Sequence, residues 1–193
     1  MKTVDIIGYY RHDLGRKTAN ALRQEGHVPC VLYGTNETIH FYTPMILFRE
    51  LVYSPDACKV RIDIEGDIHE AILQETQFHP VNEIIMHADF LKLKADKKVK
   101  MDIPIKLIGR AKGVERGGDL MPKVRYVRVK ALPKDMPEVI EVDVTALDLG
   151  KSIKVKEVKA ENYEILTSKD VSLASIVIPR ALRGTLQKES AEA

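Results

Sequence analysis

The sequence predicts a mainly β protein with short helices: an N-terminal six-stranded β-barrel followed by a C-terminal β-rich domain. Three observations predict it. Apolar and polar residues alternate over many short stretches, most clearly where Val60, Ile62 and Ile64 interleave with Arg61, Asp63 and Glu65. Turn signals such as Gly34 to Glu37 and Gly66-Asp67 separate those stretches at short intervals. In the first half, helical spacing is confined to two short segments, which suits a small barrel with helical connections.

Element by element, Val4 to Tyr10 is a β-rich run, and Gly15-Arg16-Lys17 reads as a loop. Thr18 is expected to cap a short helix reaching Arg23 or Gln24, and Gly26 suits its exit. Val28 to Tyr33 is apolar and β-branched, with Pro29 near its start, a tolerated place for proline. Gly34-Thr35-Asn36-Glu37 is a turn, and Thr38 to Tyr42 is the returning strand. Thr43-Pro44 predicts a helix with Pro44 at its first position, and Leu47, Phe48, Leu51 and Val52 form its apolar face. The alternating run around Val60 turns at Gly66-Asp67 and returns from Ile68 to Gln74. Ile84 to Lys94 closes the set.

The second half is also β-rich. Met101, Ile103, Ile105 and Leu107 sit at alternate positions, and Gly109 to Gly118 reads as a flexible polar surface loop. Strands are expected from Val124 to Lys130, Val139 to Val144, around Ile153 to Val158, and Val171 to Ile178. Charge clusters at Ala95-Asp96-Lys97-Lys98, which predicts domains of residues 1–94 and 95–182, with 183–193 as a flexible tail.

Composition narrows the function classes. The chain has 193 residues, 45% hydrophobic and 30% charged, a balance usual for soluble globular proteins. No apolar run approaches a membrane span, and the first residues lack a signal-peptide apolar region, so a cytoplasmic location is expected. Cys30 and Cys58 are the only cysteines and read as reduced, buried thiols. Residues 1–94 carry 10 Lys and Arg against 13 Asp and Glu, a balance of −3, whereas residues 95–193 carry 20 against 15, a balance of +5. Any nucleic-acid contact in the first half therefore depends on a local patch. Between Tyr9 and Arg23 the cations Arg11, Arg16, Lys17 and Arg23 face a single acid, Asp13. Asp63, Glu65, Asp67, Glu70 and Glu75 are expected mostly on a different face.

Catalytic and cofactor readings find little support. No HExxH, clustered Cys/His spacing or GxSxG occurs. Cys30, inside Pro29-Cys30-Val31-Leu32, reads as a small core residue. Gly150-Lys151-Ser152 resembles the end of a phosphate loop, but Thr145 stands where the first glycine belongs, so it reads as a hairpin turn. His79, His87 and Asp89 could form a site in three dimensions, and a hydrolase built on them would need a metal. No cofactor, metal or small-molecule substrate is expected.

The richest segment is Leu73 to Pro80, Leu-Gln-Glu-Thr-Gln-Phe-His-Pro, followed by Met86-His87-Ala88-Asp89-Phe90. Gln74, Gln77, His79, His87 and Asp89 offer donors and acceptors at the ends of neighbouring strands, as base edges and ribose hydroxyls require. With Arg11 to Arg23 and Tyr33-Gly34 they read as one RNA-facing surface.

These same segments carry a resemblance. Arg11 through Gly15-Arg16 to Leu22-Arg23, Val28 to Gly34, and Gln74 to Pro80 with His87 to Phe90 resemble the bacterial 5S-rRNA-binding large-subunit ribosomal protein family, in the long two-domain form also called Ctc or general stress protein. Gly109, Gly113, Gly117-Gly118 and Leu147 to Ile153 resemble its accessory β domain. The resemblance implies a structural, non-catalytic protein of the large ribosomal subunit whose barrel lies in the minor groove of 5S rRNA at loop E. Arg11, Arg16 and Arg23 would hold phosphates. Gln74, Gln77, His87 and Asp89 would contact sugars and base edges beside Tyr33 and Gly34, and Lys17 would compensate for a departure. The family commonly has two further basic residues just before Leu22, where this chain has Asn20 and Ala21. The C-terminal domain would meet RNA or neighbouring ribosomal proteins. The alternative is a stress-related interaction protein whose C-terminal domain binds a protein partner, RNA binding being secondary.

Overall fold

The computed structural model describes residues 1–34, 37–158 and 162–179. The expected tail at 183–193, and Thr35 and Asn36 of the expected turn, lie outside the described residues. The chain divides into two compact units, Met1–Met101 with Leu132–Glu138, and Asp102–Ala131 with Val139–Ala193. This division differs from a single cut after residue 94. Leu132–Glu138 returns to the first unit, where Glu138 pairs with the N-terminal ammonium of Met1, and no composition shift marks that return.

In the first unit six strands close a barrel: β1 (Lys2–Tyr10), β2 (His27–Tyr33), β3 (Ile39–Pro44), β4 (Cys58–Ile64), β5 (Asp67–Phe78) and β6 (Ile85–Lys92). Their order around the barrel is β1-β3-β2-β6-β5-β4. Two of the joints are parallel, β1 with β4 and β2 with β6, and the other four are antiparallel. Alternation does what the sequence led one to expect. Val60, Ile62 and Ile64 are fully buried, while Arg61 between them is exposed. Phe41, Phe48 and Phe90 fill the centre, with ring centroids 5.8 Å and 6.2 Å apart from Phe90, and Cys30 is buried among them. Burial pushes its thiol well above the usual range, so it is a core residue and a poor nucleophile.

Several local expectations change. The first helix, α1 (Arg16–Gln24), begins two residues before Thr18 with Gly15 at its cap, and no side chain caps it. Gly26 does take the exit, at φ 80, with its N–H on the Arg23 carbonyl at 3.2 Å. Pro44 ends β3, in extended conformation ahead of the short 3-10 turn Met45–Phe48, which runs into the one-turn helix α2 (Arg49–Val52). β5 continues past Gln74 to Phe78. Its pairing shifts between Leu73 and Glu75, and again between Gln77 and Phe78, so bulges interrupt the strict alternation that marks a strand in sequence.

The second unit holds two small sheets. β7 (Val99–Ile108, of the second unit from Asp102 on), β9 (Tyr126–Ala131), β10 (Ile140–Asp143) and β12 (Glu164–Ile165) run in the order β10-β7-β9-β12. β8 (Asp119–Pro122), β11 (Ser152–Lys154) and β13 (Ser172–Val177) run in the order β11-β13-β8. The glycine-rich segment expected to be a flexible surface loop contains the one-turn helix α3 (Lys112–Glu115), with Gly113 buried in it. A Cβ on Gly113 would stand 2.7 Å from Ile176 and 2.8 Å from the backbone of Asp148. Close packing accounts for that glycine. Gly150 turns at φ 71 just ahead of β11.

Candidate nucleic-acid interface

The outer wall formed by β2, β6 and β5 collects the residues singled out in the sequence. Antiparallel pairing sets Gln77 opposite His87 and Glu75 opposite Asp89. Parallel pairing sets Val31 opposite Asp89 and Tyr33 opposite Leu91. Ala88 and Phe90 alternate inward and are fully buried, so His87 and Asp89 share the outward face. Gln74 is exposed at the bulge between Leu73 and Glu75.

His87 and Asp89 act as a pair. Their Nδ1 and Oδ1 lie 2.7 Å apart, with the side chains 25% and 32% exposed. An imidazole held at Nδ1 by a carboxylate has a fixed ring orientation. Its Nε2 is left for a partner, as an acceptor when neutral and a donor when protonated. Of the acids expected mostly on a different face, Glu75 stands directly across from Asp89 on this same wall. The Tyr33 phenol registers the crowding: burial, then the charges of Asp89 and Glu75, raise its pKa. Such a wall repels phosphate at its centre but suits neutral donors, the hydroxyls and amines of sugars and bases.

Cations come from α1, placed beside the wall. Arg23 donates through Nε to the Met86 carbonyl at 3.0 Å and through Nη1 to Asn20 Oδ1 at 3.1 Å. The C-terminal end of α1 is thus fastened to β6 one residue before His87. Arg11 holds the other end: its Nη2 donates to the Gly15 carbonyl at 3.1 Å, the acceptor of the first helical N–H from Ala19. Both arginines, phosphate ligands by the family resemblance, spend guanidinium donors on positioning the helix. Arg16 and Lys17 are exposed and make no ion pair among the described residues. Helical spacing sets Arg16, Asn20 and Arg23 on one stripe.

His79 and Gly34 also take other roles. His79 Nδ1 accepts the backbone N–H groups of Val81 and Asn82, both at 3.3 Å, and its own N–H meets the Ile84 carbonyl at 2.8 Å. It organises the turn between β5 and β6. Among the described residues it forms no metal-binding group with His87 and Asp89. Gly34, at φ 112, is required by the protein itself, because a Cβ there would stand 2.9 Å from Leu91 and 3.3 Å from the Lys92 carbonyl. Sequence reasoning missed the Met86 carbonyl, which any residue could supply, and Glu75, whose side of the strand is set by a bulge.

No helix among the described residues is long and apolar enough to cross a membrane. Two family models match: the ribosomal L25p family over residues 6–90 and the C-terminal domain of ribosomal protein TL5 over residues 98–180. The protein named large ribosomal subunit protein bL25 from Cytophaga hutchinsonii is 47% identical over 193 residues, covering 100% of this chain and 99% of that protein. Its namesake from Amoebophilus asiaticus is 50% identical over 183 residues, covering 95% and 93%. That from Azobacteroides pseudotrichonymphae is 42% identical over 189 residues, covering 97% and 100%. With relatives this similar across both units, the chain belongs to the bL25 ribosomal protein family.

Proposed function

We propose that this chain is a structural, non-catalytic protein of the large ribosomal subunit that binds 5S rRNA at the loop E region through the β2-β6-β5 wall and α1. The observation that carries the reading is the pairing of Gln77 with His87, beside a His87–Asp89 pair and a helix fastened to the same strand. Gln74, Gln77, His87 and Asp89 read sugar and base edges, with Tyr33 and Gly34 at the border. Arg16 and Lys17 meet phosphates, and Arg11 and Arg23 aim the helix that carries them. Phosphate contacts position while edge contacts specify. We further propose that residues 95–182 form the accessory domain, whose basic balance suits other RNA or a neighbouring ribosomal protein.

The test is binding of the full chain to a loop E fragment and to a plain duplex of equal length across salt concentrations. Each phosphate contact steepens the log–log salt slope by roughly 0.7–0.9. Arg16→Ala is expected to weaken both complexes and flatten the slope by about that amount. His87→Ala and Asp89→Ala are expected to weaken loop E alone. A salt-independent affinity, or equal affinity for both RNAs, defeats the reading. The stress-related alternative predicts a protein that remains at the top of a ribosome gradient in growing cells.

A further inference from the structure

One rim of the barrel contains a cavity of about 320 Å³, lined by Tyr10, Tyr33, Glu37, Asp67, His69 and Lys92 among others. Its polar groups are unusually well specified. Lys92 Nζ lies 3.2 Å from His69 Nδ1. An ammonium has no lone pair, so Lys92 donates and Nδ1 accepts, which puts the proton of the neutral ring on Nε2. That Nε2 is buried and has no hydrogen-bond partner among the described residues, although buried donors are rarely left unmet. Burial and the Lys92 charge lower the His69 pKa, so the ring is neutral near pH 7. Two residues before His69 on β5, Asp67 Oδ2 accepts the Tyr10 hydroxyl at 2.9 Å, and an ionised carboxylate retains further acceptor sites.

The site therefore offers N–H donors from His69 and Lys92 and carboxylate acceptors from Asp67 and Glu37, with two tyrosines among its walls. Two carboxylates against one ammonium disfavour a phosphate. The ammonium beside the imidazole disfavours a metal. A neutral group with donors and acceptors side by side fits. Among the nucleobases, guanine alone places two adjacent N–H donors next to a carbonyl, with N7 as a further acceptor. Carboxylates match the first edge and the His69 and Lys92 donors match O6 and N7. Tyrosine rings supply surface on which a base stacks. Tyr33 belongs both to this cavity and to the border of the wall.

We propose that this cavity is a subsite for a single unpaired guanine base. The proposal rests on the RNA reading only for the source of that base, which is an unstacked nucleotide of bound RNA or a free guanine nucleoside. The experiment titrates the isotope-labelled full chain at neutral pH with guanosine, inosine, adenosine, cytidine and uridine. Signals of the His69 ring and of Tyr10 and Tyr33 are followed by NMR. Guanosine is expected to move them, inosine to bind more weakly for want of the 2-amino group, and the other three to bind about tenfold more weakly or less, the scale of one bidentate edge contact. Asp67→Asn is expected to remove the guanosine preference, while the comparison among nucleosides on the unaltered chain needs no variant to fold. Equal shifts from all five, or none, overturn the proposal. Guanosine preference without loop E binding upholds the subsite and makes the free nucleoside its source. Loop E binding without guanosine preference overturns the subsite and leaves the RNA reading standing.

Discussion

Arg23 offers the sharpest separation between a residue that positions the site and one that touches RNA. α1 spans nine residues, below the ~12–15 at which isolated helices become even marginal in water. Its order depends on anchors, chiefly the buried Ala19 and the Arg23–Met86 bond at 3.0 Å. A hydrogen bond from a charged donor contributes about 1.5–3 kcal/mol. The bond is partly buried, so the lower end applies. Arg23→Ala is then expected to favour local opening of α1 by about 1.5 kcal/mol, roughly tenfold. Amide exchange is the assay. The Ala19 and Glu25 N–H groups, bonded to Gly15 and Ala21 at 3.0 Å and 3.1 Å, should exchange roughly tenfold faster, while those of β4 and β5 stay unchanged. Loop E affinity should fall in the same variant, because Arg16 and Lys17 lose their fixed position. If α1 exchange were unaltered and affinity still fell as in Arg16→Ala, Arg23 would be a direct phosphate ligand and the anchoring argument would be wrong.

Three further outcomes follow from the same geometry. Ala21→Lys puts a cation on an exposed position of α1, next to the Asn20 that already serves Arg23; it should steepen the salt slope for both RNAs by about 0.7–0.9 without loss of stability. Gly34→Ala combines a positive φ with a 2.9 Å approach to Leu91 and should destabilise the first unit by about 1–3 kcal/mol in a denaturant titration. His69 has its pKa lowered from 6.5, first by burial and then by Lys92, so below about pH 6.5 the unfolded chain takes up a proton that the native ring resists. Stability should therefore decline as pH falls from there toward the native pKa. His69→Gln should flatten that part of the pH profile; a profile unchanged by the substitution would contradict it.

Most of the barrel was legible because its signals are local. Val60 to Ile64 alternates, Gly66 turns, and the apolar face of Leu47 to Val52 repeats at helical spacing, so each strand or helix announces itself within a few residues. Where a bulge intervenes the signal weakens: the sequence pattern ends the strand at Gln74, whereas β5 runs on to Phe78. Helix starts were also misplaced. Gly15 caps α1 without a side chain, so Thr18 drew the attention its residue type usually merits.

The sequence by itself determined the six strands of the barrel, its apolar interior and the collection of polar side chains in Gln74 to Asp89, since periodicity and turn chemistry depend on near neighbours. Only the tertiary structure decided the parallel joints of β1 with β4 and β2 with β6. It alone decided that Arg11 and Arg23 hold a helix in place, and that Tyr10, Asp67, His69 and Lys92 meet at one rim. Those outcomes hang on which distant backbone carbonyl or side chain arrives at a given point, and closing the barrel is what brings them there.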